Sequence, residues 1–303
     1  MRNAFCAAMV ELQANRPFVF LTGDLGFGAL EPLQQAMGAR FINAGVAEQN
    51  MVGVAAGLAA NGWQAWAYSI APFIYARPFE QVRNDVCLQN RDVKLVGNGG
   101  GYGYGSMGSS HHALEDYGSL LGLQHMRAFI PAFAQDVTAM VPRLAAEPGP
   151  AYLRLGRDEK PVGLEPPAYA PWRLLLEGGG PVLVAVGPLA GPLAAALLGL
   201  PAQARPQLWA LAELPLDTLP AALLRALEER QHLCVVEEHV AQGGAGAALA
   251  LHLALAGRSP RRFDLACAQG YRSGYYGSQS FHRLESGLDA ESVLKTLARA
   301  GAR

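Results

Sequence analysis

Along the first half of the chain, short apolar runs alternate with longer stretches in which apolar positions recur every three or four residues. That alternation predicts buried strands separated by amphipathic helices, the pattern of a parallel sheet covered by helices. Strands are expected at 18–22, 41–44, 66–69, 93–97 and 151–155, with helices at 3–14, 47–60, 78–89 and 136–146 between them. From residue 157 to 181 the pattern gives way to Pro and Gly (GRDEKPVGLEPPAYAPW, then EGGGP), which predicts a linker. The alternation then resumes, with strands expected at 182–186, 207–211 and 233–237 and an Ala/Leu-rich helix after Gly243-Gly244. The expected fold is therefore α/β, with two domains at 1–157 and 181–303 joined by a linker at 158–180, each a mainly parallel sheet with helices on both faces.

A length of 303 residues suffices for two separate cores. Charged residues make up only 16 % of the chain, and 24 basic against 25 acidic residues leave a net charge of −1. That balance gives no footprint for nucleic acid or for an anionic membrane surface. Apolar content is 51 % with 35 glycines, which points to apolar surface covered by another subunit. The first residues lack the charged-then-apolar layout of a secretory signal, and no apolar run approaches the ~20 residues that span a bilayer. Cys6, Cys87, Cys234 and Cys267 are widely spaced and form no CxxC pair, so they read as reduced core residues of a cytoplasmic protein.

One stretch, FINAGVAEQNMVGVAAGLAANG at 41–62, carries a carboxylate where a strand runs into a helix of small apolar residues. Glu48 in the first turn gains ~0.3–1 kcal/mol from the helix dipole, which is reason enough for an acid there. Asn61-Gly62 ends the helix, and Gly53 and Gly57 admit close approach of another backbone.

The neighbouring motifs add a second reason. LTGDLG, FINAGVAEQNMVGVAAGLA, YSIAPFIYARPFEQVRNDV and GSMGSSHHALED follow one another within the first 155 residues and together resemble the pyrimidine-binding domain of the transketolase family of thiamine diphosphate enzymes. VVEEHVAQGGAG more weakly resembles that family's C-terminal domain. The resemblance implies that Glu48 meets N1′ of the coenzyme's aminopyrimidine. By sharing a proton with N1′, the carboxylate drives the exocyclic amine toward its imino form, the base that acts on the thiazolium C2–H. It also implies that Phe73 stacks on the aminopyrimidine, with Ile70 where a second aromatic is common, and that Arg77 matches an arginine of the family. On the residues alone, Tyr68, Phe73 and Tyr75 fit equally well as core aromatics, and Arg77 as a surface partner of Glu80.

After the strand expected at 93–97 comes GNGGGYGYGSMGSSHH, with a formal GxGxxG at Gly103, Gly105 and Gly108. It begins several residues after the strand, and no acid occurs between Tyr117 and Asp136, so the dinucleotide fingerprint does not apply. The loop is expected to be a flexible active-site wall. His111 and His112 with Glu115 and Asp116 have metal-ligand chemistry, but adjacent histidines diverge on most backbones, which argues against one shared metal. The resemblance places His111 where a histidine or glutamine contacts substrate; capping a helix near Ala113 is the alternative. Met107 stands where the family usually carries a donor-binding aspartate, Gly99 falls near a substrate histidine of transketolases, and GDLGFGALEP lacks a phosphate-holding arginine. Arg157 in LRLGRD matches a substrate-binding arginine. An unusual sugar or sugar-phosphate substrate is therefore expected.

Full-length members hold the diphosphate through Mg²⁺ on a separate domain with a GDG motif and a later asparagine. Gly23-Asp24-Leu25 and Asn43 do not match that pattern. The chain thus resembles the C-terminal subunit of a split transketolase, whose N-terminal partner would bring Mg²⁺ and bind the diphosphate of thiamine diphosphate in an α2β2 assembly around a homodimeric core. The implied activity is transfer of a two-carbon ketol unit. A β subunit of a 2-oxo acid dehydrogenase or decarboxylating synthase, and a non-catalytic scaffold of the same fold, are the alternatives. Glu237, Glu238 and His239 are expected in structural or interface duty, and the Gly243-Gly244 backbone is a candidate anion site.

Overall fold

The computed structural model describes residues 1–298. Its strands are β1 (Val19–Thr22), β2 (Phe41–Asn43), β3 (Ala65–Ile70), β4 (Val93–Asn98), β5 (Arg127–Phe129), β6 (Ala151–Leu155), β7 (Trp172–Leu176), β8 (Val182–Val186), β9 (Gln207–Leu211), β10 (Glu213–Leu214), β11 (His232–Glu237) and β12 (Arg262–Cys267). They form a seven-stranded sheet in the order β10-β5-β6-β4-β3-β1-β2 and a five-stranded sheet in the order β12-β11-β8-β9-β7. Each is parallel except at one edge, where β10 runs antiparallel to β5 and β7 antiparallel to β9. The expected α/β class with two mainly parallel sheets is the observed one.

The centre of the first sheet is apolar on both faces, as parallel sheets under helices require: Val19, Phe20, Leu21, Ala65, Trp66, Ala67, Val93, Leu95 and Val96 are all buried. Helices Arg2–Asn15 and Ala134–Ala146 cover one face, where Phe5, Met9, Val137 and Met140 join Phe20 and Trp66. Helix Glu48–Ala60 covers the other through Met51, Val52, Ala55 and Ala56. The helix expected at 78–89 is wound in two ways. Phe79–Gln81 is α-helical, and Val82–Cys87 widens to i→i+5 bonding, with Leu88 N–H donating to Arg83 O at 3.0 Å.

Two strands near the junction of the halves, β7 and β10, were not expected, and β10 carries the second half into the first sheet. Trp172–Leu176 lies inside the stretch expected as a linker, where it forms the edge of the second sheet. Its Pro-rich approach hides it, and its antiparallel edge position gives it no crossover helix to mark it. Ala212 alone separates β9 in the second sheet from β10 in the first, and Ile130 N–H donates to Ala212 O at 2.8 Å across the join. One hydrophobic cluster accordingly contains Leu21 and Leu95 of the first half with Val184, Trp209 and Leu249 of the second.

A buried polar network ties the same halves. Arg154 on β6 donates through Nε to Asp116 Oδ2 at 2.7 Å and through Nη2 to the carbonyls of Ala113 and Glu238, each at 2.9 Å. Burial disfavours the Arg154 cation, but the Asp116 carboxylate together with Tyr117 and Tyr152 outweighs that cost and raises its pKa above the usual value.

Candidate active site

In a parallel sheet the carboxyl ends of the strands gather at one edge, where the connecting turns can converge on a ligand. In the first sheet, β1 leads to Gly23-Asp24, β2 to Glu48, β3 to Phe73 and Arg77, and β4 to the glycine-rich loop. Asn43, the last residue of β2, braces this edge. Its Oδ1 accepts from the backbone N–H groups of Asp24 at 3.1 Å and Gly45 at 3.0 Å, and its Nδ2 donates to Asp24 Oδ1 at 2.9 Å. These bonds hold Asp24 in the left-handed region, φ 56°. The turn brings Gly23 so close to Glu48 that a Cβ there would lie 3.6 Å from both Cγ and Oε1. Ala47 leaves the helical region, and Glu48 becomes the first helical residue.

Glu48 is 4 % exposed and faces a cleft lined by Val46, Gln49, Asn50 and Arg77. Arg77 Nη1 donates to its Oε1 at 2.9 Å and its Oε2 at 3.0 Å. The Arg77 guanidinium lies over the Phe73 ring, its Cζ 3.6 Å from the centroid, while its side chain keeps 44 % exposure toward the cleft. Arg77 therefore pairs with Glu48, across the edge, rather than with Glu80. The His111 ring also packs against Phe73, with centroids 5.1 Å apart and ring planes at 65°. Ser110 Oγ and His111 Nδ1 lie 2.9 Å apart, and Tyr104 sits 5.8 Å from the imidazole, centroid to centroid. Glu48, Arg77, Phe73 and His111 thus form one continuous chain of contacts.

The other expected residues lie at its margins. Ile70 is buried at the end of β3, where the chain turns into helix Ala71–Tyr75. Met107 is 54 % exposed on the glycine-rich loop. Arg157 is exposed just beyond β6 and makes no hydrogen bond or ion pair among the described residues. His111 does not cap a helix, because the next helix runs Asp116–Leu121. The adjacent histidines do diverge: His112 is buried, its Nε2 2.8 Å from Gly105 O and its Nδ1 2.9 Å from Tyr271 Oη. A carbonyl can only accept, so Nε2 carries the proton and Nδ1 takes the tyrosine hydroxyl's; burial lowers the His112 pKa and keeps it neutral. Sequence reasoning missed Asn43 as a brace and Ser110 as the partner of His111. The signal for Asn43 was its position between a strand and Gly45, a place where Asn side chains stabilise turns.

The carboxyl edge of the second sheet is built differently. Glu237 ends β11 and accepts from the backbone N–H groups of Ala245 at 2.7 Å and Gly246 at 2.9 Å, and from Tyr117 Oη at 2.5 Å. Burial raises its pKa, and these donors act against the rise. The helix start after Gly243-Gly244, a candidate anion site by sequence, is therefore filled by the protein's own carboxylate. Glu238 accepts from Tyr102 N–H at 2.7 Å, Gln279 Nε2 at 2.9 Å and Arg283 Nε at 2.9 Å. His239 stacks on Tyr117 with centroids 3.9 Å apart, donates from Nδ1 to Val240 O and accepts at Nε2 from Gly118 N–H. All three residues join the halves of the molecule, as their expected structural duty requires.

The first edge suits the aminopyrimidine half of thiamine diphosphate. A planar cation already lies on the Phe73 ring at stacking distance while donating to the Glu48 carboxylate, so this face admits a flat, hydrogen-bonding group. The family model for the pyrimidine-binding domain of transketolase matches residues 1–161. The chain is 32 % identical to the B-type subunit of apulose-4-phosphate transketolase from Actinobacillus succinogenes over 84 % of its own length and 83 % of the relative's. It is also 32 % identical to 1-deoxy-D-xylulose-5-phosphate synthase of Thermomicrobium roseum, covering 98 % of this chain but 48 % of that protein. Among solved structures, a split-gene transketolase described as an inactive β4 tetramer superposes with a TM-score of 0.80 at 31 % identity, covering 99 % of this chain and 97 % of the other. The chain belongs to the transketolase family of thiamine diphosphate enzymes, as the C-terminal, β-type subunit of a split transketolase-type transferase.

Proposed function

We propose that Glu48 activates the coenzyme for transfer of a two-carbon ketol unit, and that Phe73, Ile70 and Arg77 form its binding face. The observation that carries this reading is the alignment of a buried carboxylate, a guanidinium and an aromatic ring along one cleft. Bound thiamine diphosphate supplies the nucleophilic carbon that the protein's side chains lack. A carboxylate has about four acceptor positions; Arg77 uses one on each oxygen, and Glu48 Oε1, on the Gly23 side, keeps another for a ring nitrogen. Glu48 holds the proton shared with that nitrogen. Phe73 offers its face, and Ile70 backs the turn that carries it. His111, fixed through Nδ1 by Ser110, directs Nε2 to a donor hydroxyl or carbonyl and relays its proton. Met107 and Arg157 border the donor and set its selection. The donor is a ketose, free or phosphorylated, in keeping with the phosphorylated ketose in the first relative's name.

A separate N-terminal subunit holds the diphosphate and contributes Mg²⁺, and an α2β2 assembly forms around a homodimeric core. Support for the core comes from helix Glu48–Ala60, where Cβ atoms at Gly53 and Gly57 would face open space. No described helix is long and apolar enough to cross a membrane, and we place the assembly in the cytoplasm. The test is titration of thiamine diphosphate into this chain with and without the partner, followed by assays of ketoses and 2-oxo acids. The reading requires partner-dependent binding and aldehyde release from a ketose. Carbon dioxide release from 2-oxo acids alone would favour the dehydrogenase-type alternative, and no binding would favour a scaffold.

A further inference from the structure

The glycine-rich loop that carries Met107 and His111 does not stand free at the first sheet's edge. It rests on a segment of the second domain, between β12 and helix Gln279–Glu285. Ser109 Oγ and Tyr276 Oη are 2.9 Å apart. The Tyr276 ring lies under Gly108 so closely that a Cβ there would sit 2.7 Å from two ring carbons, and Gly108 has φ 78°, so no other residue fits without strain. Tyr271 bonds His112, whose other nitrogen bonds Gly105, and the rings of Tyr271 and Tyr276 pack edge to face at 5.2 Å. Tyr276 thereby touches the loop between Met107 and the Ser110–His111 pair, yet remains 50 % exposed.

We infer that Tyr276, in a domain with no chemistry assigned to it, is a positioning residue for donor recognition. It fixes the height of the loop at Gly108-Ser109 and with it the reach of Met107 and His111 toward the donor. This inference rests on the proposed ketol-transfer reading and deepens it. It also accounts for the glycine at 108, over which the Tyr276 ring leaves no room for a Cβ. The ring supplies the platform, and the hydroxyl sets the register by its bond to Ser109. Glu48, Phe73 and Arg77 make their hydrogen bonds and ring contacts with one another or with His111, not with Tyr276, so coenzyme binding should not depend on it.

The experiment uses the complex assembled with its partner subunit, with Tyr276→Phe, Tyr276→Ala and Ser109→Ala. The donor is the ketose that the unmutated complex turns over fastest. Tyr276→Ala should raise donor KM tenfold or more, with a smaller fall in kcat through His111, while thiamine diphosphate Kd is unchanged. Tyr276→Phe should recover most of that loss, and Ser109→Ala should match Tyr276→Phe, with no further loss in the double variant. Hydrogen exchange of the amides from 105 to 111 should accelerate in Tyr276→Ala without coenzyme. Unchanged donor KM in Tyr276→Ala, with coenzyme binding and turnover intact, overturns the inference and leaves the ketol-transfer reading standing. Loss of coenzyme affinity in step with KM overturns it too, by making Tyr276 a general structural support. Absence of thiamine binding or of turnover in the unmutated complex overturns both.

Discussion

The molecule places carboxylates at the carboxyl edges of two parallel sheets and treats them in opposite ways. At the second edge, Glu237 has two backbone N–H groups and a tyrosine hydroxyl, and Glu238 has an amide, a guanidinium and a backbone N–H. At the first, Glu48 is just as hidden from solvent but has one side-chain partner, Arg77, which is itself 44 % exposed. A buried charge needs partners wherever it lies. What separates a structural acid from a candidate catalytic one is whether those partners belong to the closed core or to a movable side chain in an open cleft. Fully paired acids hold the halves together, and the incompletely paired one is the candidate for meeting a ligand.

Several changes should separate the two edges. The largest effect on folding is expected from Arg154→Ala, which leaves Asp116 buried without its cation. It should destabilise the chain by about 3–5 kcal/mol in denaturant titration. Glu237→Gln keeps the shape but cannot accept from all three donors, and should cost ~1–3 kcal/mol while thiamine diphosphate affinity per folded complex stays the same. A large fall in affinity in that variant would erase the contrast between the edges. Phe73→Ala reverses the pattern. Loss of the stacking face should weaken coenzyme binding by roughly 0.5–1.5 kcal/mol, and the half-buried ring should contribute less to folding than Glu237 does.

The smallest effect is a pH slope. Burial lowers the pKa of His112, His239 and His282, all of which lie where the two halves meet. A depressed folded pKa means that the unfolded chain takes up protons first. The stability these groups contribute is therefore present above the unfolded pKa of about 6.5 and is lost as pH falls below it toward the folded values. Glu237, raised by burial, acts in the opposite sense as pH rises above about 4.5. Comparing the unmutated chain with His112→Gln between pH 7 and 5.5 isolates one histidine, and the variant should show the shallower decline.

Much of the first edge is legible in the sequence, because apolar runs of strand length reveal parallel strands, and the residues just after each run must lie at the carboxyl edge. Strand pattern puts the turns that carry Glu48 and Phe73 at that edge, whereas His111, well past the end of β4, is placed there only by the family resemblance. It fails for Arg77, because Glu80 offers a local partner and only the turn of helix Ala71–Tyr75 directs the guanidinium across the edge to Glu48. β10 is hidden because two residues carry no periodicity, and β7 because Pro and Gly around it imitate a linker. The platform under the glycine-rich loop escapes sequence reasoning for a related reason. Tyr276 and Ser109 are 167 positions apart, and no local pattern reports a contact at that separation.

The central claim is that Glu48 delivers the proton control the coenzyme needs. The most direct test is the rate of C2–H exchange of thiamine diphosphate bound to the assembled complex, compared between the unmutated chain and Glu48→Gln. A fall of roughly 10²–10⁴-fold in that rate is predicted, with coenzyme affinity and folding nearly unchanged. Exchange at the same rate in the variant would contradict the claim.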